Sequence, residues 1–210
     1  MSDCDPDQIP SMNFENRMQI QHCNWQVVNC TTPANYYHVL RRQVHREFRK
    51  PLIVAAPKKL LRLKDASSSL SEMGPDTLFQ RVIPEASDVK RILLCSGQIY
   101  YDLASERTKA KRTDIAIARV EQLTPFPFDA VAREVALYPN AEVCWVQEEP
   151  KNMGAWSFVQ RCIDTSTREL NGNEKRPRYI GRHTAAAPAT GLPKLHAKEH
   201  QNILEEAFRD

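Results

Sequence analysis

Residues 143–156, VCWVQEEPKNMGAW, constrain the fold most, because their physical character changes twice within fourteen positions. The apolar run 143–146 has the composition of a short buried strand, and Gln147, Glu148, Glu149 and Pro150 are expected to end it. Beyond Gly154, residues Trp156, Val159 and Ile163 recur at helical spacing, which predicts a helix with one apolar face. Glu148 and Glu149 would then lie in the loop where a strand hands over to a helix, the position at which open α/β sheets gather function. Adjacent loop carboxylates diverge, and neither has a recognisable partner in the sequence. Anchoring the loop is therefore the plainer reading beside acid/base work.

The same alternation runs through the chain. Residues 25–30 (WQVVNC) form a strand candidate, followed by Thr32-Pro33, a strong helix start. Tyr37, Leu40, Val44 and Phe48 predict the apolar face of that helix, and Pro51 stops it. Residues 52–55 (LIVA) read as a second buried strand, giving a β-α-β unit. Residues 63–88 lose periodicity and read as an ordered linker. A second α/β series follows: a strand at 90–95, a helix at 98–107, a strand at 114–120, and a helix with Phe128, Val131, Val135 and Tyr138 on one face. The strand at 143–146 and its helix come next, then a short strand at 178–181 and a terminal helix at 192–208. The expectation is an α/β fold, a mostly parallel sheet with helices on both faces, in which strands 115–120 and 143–146 are buried neighbours. Residues 1–24 read as a loop.

Composition excludes several classes. With 29 basic and 26 acidic residues among 210, the charge is too balanced to announce nucleic acid, and no apolar run reaches the length of a membrane span. The six cysteines (Cys4, Cys23, Cys30, Cys95, Cys144, Cys162) show no metal-ligand spacing, and Cys30, Cys95 and Cys144 fall in strand candidates, which suits free thiols in a reducing compartment.

Several constellations admit two readings. The Ser96-Gly97 turn resembles a phosphate-binding start but lacks a glycine-rich fingerprint, so a tight structural turn is favoured. Arg42, Arg46 and Arg49 share a helix face, flanked by Arg41 and Lys50, and suit either solvent or a phosphate-bearing ligand. His38 and His45 are two turns apart, too far for one metal ion. His196 and His200, at i and i+4, could chelate, but no acid or cysteine is evidently paired with them or with His183. The small-residue run 185–191, AAAPATG, permits close backbone approach by another domain or by a ligand; domain or subunit packing is the favoured reading, with Arg182 beside it as a candidate anion contact.

Six blocks then resemble one family in order: residues 24–43 (NWQVVNCTTPANYYHVLRRQ), 49–62 (RKPLIVAAPKKLLR), 95–103 (CSGQIYYDL), 119–129 (RVEQLTPFPFD), 147–156 (QEEPKNMGAW) and 181–191 (GRHTAAAPATG). Together they resemble the C-terminal end of the thiamine-dependent 2-oxoglutarate dehydrogenases, with departures at Gln98, usually lysine, and Met153, usually glutamine. The resemblance implies a transketolase-like build, with residues 1–62 the end of a pyrimidine-binding domain, 63–88 a linker and 89–210 a transketolase-like C-terminal domain. It implies oxidative decarboxylation of 2-oxoglutarate and succinyl transfer to a lipoyl arm, using thiamine diphosphate and Mg²⁺. The G-D-G...N-type cofactor segment, the glutamate that protonates the pyrimidine and the E-H-S-S-type histidine motif cannot be located here. No catalytic, cofactor-binding or metal residue is therefore carried over, and a fragment inactive by itself is expected.

The implied partners are a homodimer mate, the dihydrolipoyl succinyltransferase core and dihydrolipoyl dehydrogenase. The implied location is the mitochondrial matrix in a eukaryote or the cytoplasm in a bacterium. A 2-oxoadipate dehydrogenase paralogue, or a non-enzymatic subunit-contact or regulatory nucleotide-binding domain, are the alternatives.

Overall fold

The computed structural model describes residues 5–9, 19, 23–85 and 89–209, so the expected loop over 1–24, like Cys4, lies largely outside the described residues. In chain order the elements are β1 (Gln26–Val28), α1 (Pro33–His45), β2 (Leu52–Val54), two 3₁₀ turns (Lys58–Arg62 and Leu70–Met73), β3 (Val82–Ile83), β4 (Arg91–Cys95), α2 (Ile99–Ala110), β5 (Ile115–Val120), β6 (Gln122–Thr124), α3 (Phe128–Ala136), β7 (Glu142–Pro150), α4 (Trp156–Asn171), β8 (Arg178–Arg182) and α5 (Pro193–Phe208).

They form a five-stranded sheet, β3-β5-β4-β7-β8, and a three-stranded sheet, β2-β1-β6. The larger sheet is parallel except for its β3 edge. Its strands alternate strictly. Leu93, Cys95, Ile115, Ile117, Cys144 and Val146 pack on one face against Ile99 and Leu103 of α2 and Ile203 and Leu204 of α5. Ile92, Leu94, Ala116, Ala118, Val143 and Trp145 pack on the other against Val131 and Val135 of α3 and Val159 and Ile163 of α4. The α/β class with helices on both faces follows from this two-sided burial. The expected apolar face of Phe128, Val131, Val135 and Tyr138 is buried throughout.

Other expectations are corrected. Strands β5 and β7 are not neighbours, because β4 lies between them and pairs with both. Apolar content identifies a buried strand but carries no information about its place in the order. Strand β7 does not end at Val146; it runs to Pro150, with a break in its register to β8 between Val146 and Pro150 that lets the polar residues leave the ladder. The strand 52–55 is a half-exposed edge, since among the described residues β2 pairs only with β1.

The α1 face also differs. Thr32 caps the helix as expected, accepting from the Asn35 amide at 3.2 Å. Yet Tyr37 and Leu40 are each 43% exposed and Val44 77%, while Ala34, Asn35, His38 and Val39 are buried. The face turned inward is set by the small core of Val28, Cys30 and Val39, not by the most apolar stripe. Two short strands escape sequence periodicity altogether. Strand β3 arises within the expected linker and pairs antiparallel with β5, and β6 pairs antiparallel with β1. The chain thus leaves the large sheet after Val120, passes through Glu121 and enters the small one at Gln122.

Candidate functional site

The passage between the sheets is a buried polar seam. Glu121 is fully enclosed, its carboxylate accepting from the Thr31 amide (2.8 Å), the Thr31 hydroxyl (2.5 Å) and the Asn35 side-chain amide (2.9 Å). Burial pushes this carboxyl up from its usual range, against those hydrogen bonds and the charge of Arg119. Arg119 donates to the Thr31 hydroxyl at 3.0 Å and stacks on Tyr100, while the Tyr101 hydroxyl donates to the Thr31 carbonyl at 2.6 Å. The Ser96-Gly97 turn closes the same seam. Gly97 has φ +79, and a Cβ there would stand 2.5 Å from the Asn29 amide nitrogen, so the glycine serves close packing between the two units.

Arg42, Arg46 and Arg49 do not share a helix face, because α1 ends at His45 with Arg46 already extended. Arg42 and Arg46 converge on one acceptor, Gln26 Oε1, at 3.1 and 2.6 Å, and Arg42 lies over the Phe79 ring at 4.1 Å. Arg41 donates to the carbonyls of Gly74 and Thr77, and Arg49 only to the Arg46 carbonyl. Burial, reinforced by Arg46 and Arg81, brings the Arg42 guanidinium down to about 9, and its Nε has no hydrogen-bond partner among the described residues. Arg41, Arg42, Arg46 and His45 line a groove of about 1170 Å³ with Phe48 and Phe79. Guanidinium forks suit a phosphate or carboxylate, although Glu47 also lines the groove. His38 is buried and structural, its Nε2 2.7 Å from the Glu72 carbonyl and 2.9 Å from the Thr77 hydroxyl.

At the end of β7, Gln147 does the local organising. Its Oε1 accepts from the Trp145 indole and the Trp156 amide, both at 3.0 Å, and its Nε2 donates to the carbonyls of Glu149, Pro150 and Met153. Glu148 points elsewhere, accepting from Gln98 Nε2 at 3.0 Å, with its carboxyl pushed up by burial. The two adjacent acids therefore do not form an acid/base pair. Arg182 is spent internally, on Glu199 (2.5 Å) and the Pro188 carbonyl (2.8 Å), which removes it as an anion contact. His200, expected to lack an acidic partner, faces Asp102 with its Nε2 3.5 Å from Oδ2. Periodicity places His200 on its helix but cannot show which helix lies opposite.

The small sheet and the five-stranded sheet, joined through Glu121, define a transketolase-like α/β protein, and residues 11–64 match the transketolase pyrimidine-binding domain, of the thiamine diphosphate family. Residues 67–208 match the family described as 2-oxoglutarate dehydrogenase C-terminal, to which the chain belongs. Similar proteins include the mitochondrial 2-oxoglutarate dehydrogenase of Dictyostelium discoideum (44% identical, covering 99% of this chain and 21% of the relative). A mitochondrial 2-oxoglutarate dehydrogenase-like protein of Rattus norvegicus is 45% identical over 99% of the chain and 21% of its own length. The 2-oxoglutarate dehydrogenase E1 component of Brucella anthropi is 44% identical over 88% of the chain and 20% of its own length. The chain thus spans about a fifth of the length of these relatives. No helix among the described residues is long and apolar enough to cross a membrane.

Proposed function

We propose that the chain serves as the C-terminal portion of a 2-oxoglutarate dehydrogenase, which decarboxylates 2-oxoglutarate oxidatively and passes the succinyl group to a lipoyl arm. The observation that carries this reading is 44% identity to such an enzyme over 99% of the chain. Thiamine diphosphate with Mg²⁺ supplies the nucleophilic carbon and electron sink of that chemistry when bound. The described residues do not fit that group. Glu121, fully enclosed, has its oxygens occupied by Thr31 and Asn35, buried Glu134 accepts from the Glu85 amide, and the acids at the β7 end diverge. The role assigned to this chain is to close the fold around machinery held elsewhere and to contribute subunit contacts. Its division into residues 1–62, 63–88 and 89–210 belongs to the same proposal. So do the homodimer mate, the succinyltransferase core and the dihydrolipoyl dehydrogenase as partners, and a mitochondrial matrix or bacterial cytoplasmic location.

A chimera tests it. In the Dictyostelium enzyme, replacing the matching fifth with this chain should preserve thiamine-dependent CO₂ release from 2-oxoglutarate, while the chain by itself releases none above a buffer blank. A soluble but inactive chimera, or turnover by the chain alone, would contradict the assignment.

The unpartnered Arg42 Nε favours a second, compatible reading, a regulatory anion seated in the α1 groove. Pyrophosphate titration should then shift resonances of α1, and Arg42→Ala should abolish the shift; an unchanged spectrum would dismiss it.

A further inference from the structure

We infer that Asp102, Glu148 and His200 form a binding site for a first-row divalent cation of the zinc, manganese or cobalt type. The three side chains come from α2, the end of β7 and α5, and one ligand atom of each lies within 4.8 Å of the others. All three are half-buried, so the site is walled yet open to solvent. Their other contacts still leave room for an ion. Asp102 accepts from Lys59 Nζ through both oxygens, Oδ1 at 3.1 Å and, more weakly, Oδ2 at 3.5 Å, and Glu148 Oε1 accepts from Gln98 Nε2 at 3.0 Å. Asp102 Oδ2 is 3.5 Å from His200 Nε2, longer than a normal hydrogen bond, and Glu148 Oε2 meets no donor among the described residues. Two carboxylates and an imidazole thus each bring one ligand atom close enough to share a single ion.

The donor set selects the ion. One nitrogen with two carboxylates suits borderline metals and leaves coordination positions for water, whereas Ca²⁺ asks for six to eight oxygens. Gln98 adds a fourth neutral group, since a turned amide presents oxygen in place of nitrogen. Lys59 opposes binding: its ammonium already shares Asp102 and lowers the negative charge available to the metal. His196, one turn before His200 with ring centroids 6.4 Å apart, is not in the group. It provides the control for a plain surface histidine pair.

Co²⁺ titration of the chelator-treated protein near neutral pH, followed by its visible d–d bands and by thermal unfolding, reads the site. One equivalent should bind, be displaced by Zn²⁺ and raise the unfolding temperature. His200→Ala and the pair Asp102→Asn/Glu148→Gln should each weaken binding at least about tenfold. His196→Ala should leave affinity unchanged and Lys59→Ala should tighten it several-fold. Absence of saturable binding, affinity unmoved by His200→Ala, or loss with His196→Ala would overturn the proposal. X-ray absorption of the Zn²⁺-loaded wild-type protein serves even where a variant fails to fold: nitrogen and oxygen neighbours are expected, and a sulfur shell would assign the ion to a cysteine instead.

Discussion

Glu121 links the two sheets, and its worth lies in what its loss would strand. Glu121→Ala takes the acceptor from the Thr31 amide, the Thr31 hydroxyl and one N–H of Asn35, whose other N–H still reaches the Gln80 carbonyl, at a cost on the order of 3 kcal/mol measured by urea unfolding. A change below 1 kcal/mol would mean that water replaces the carboxylate. Thiol chemistry offers a second residue-scale check. Burial pushes Cys95 and Cys144 up to about 12 and, with Glu121 adding to it, Cys30 likewise. Alkylation of the native protein near pH 8 should therefore spare all three until denaturant is added, and peptide mapping would reveal any early modification. The Asp129 carboxyl is raised by burial, but bidentate hydrogen bonds and charge from Arg81, at 2.8 and 2.6 Å, outweigh that and hold it below the usual range. Its stabilisation is present above the unfolded value of about 4 and is lost as pH falls through the lower folded value. The gap in unfolding free energy between wild type and Asp129→Asn should accordingly shrink on acidification below about pH 4; a constant gap would exclude the ion pair as its source.

Among the elements, β7 depends on Gln147 as a bracket between strand and helix. Two donors and three acceptors meet one side chain, and Gly154, with φ +66, lets the chain pass beside it. Gln147→Leu keeps the volume but takes the partner from the Trp145 indole, the Trp156 amide and the Met153 carbonyl, while the Met153 amide and the Tyr179 hydroxyl still serve the Pro150 and Glu149 carbonyls; it should cost about 2–4 kcal/mol and expose the amide of Trp156 to exchange. Retained protection there would place the helix start under other control. This bracket was not legible in the sequence, where Gln147 only marks the end of an apolar run. Strands β4, β5 and β7 and helices α2 to α5 were legible because burial on both sides or on one stripe leaves a period in the residues themselves. The order β5-β4-β7, the two- and three-residue strands β3 and β6, and the inward face of α1 were not, since each depends on a partner remote in sequence. The Asp102–His200 approach, across 98 positions, belongs with them.

At the scale of the molecule, the two sheets have unequal means of support. The larger has a core on both faces with Ile92, Leu93, Leu94 and Trp145 fully buried or nearly so. The smaller rests on Val28, Cys30 and Val39, leaves β2 as an open edge and turns Tyr37, Leu40 and Val44 toward solvent. Its attachment runs through the β1–β6 pair and the Glu121 seam. A unit with so little core of its own opens at lower free energy than one that buries both sheet faces. Limited proteolysis should cut first in the segment that carries Leu61, Leu70 and Leu78, all strongly exposed, and leave a resistant piece containing β4 to α5. The most direct measurement is native-state hydrogen exchange of the whole chain, comparing the amides of β1 and β2 with those of β4 and β7. The smaller sheet should exchange through an opening well below global unfolding while β4 and β7 exchange only with it; equal protection of both sets would contradict a self-sufficient larger unit carrying a dependent smaller one.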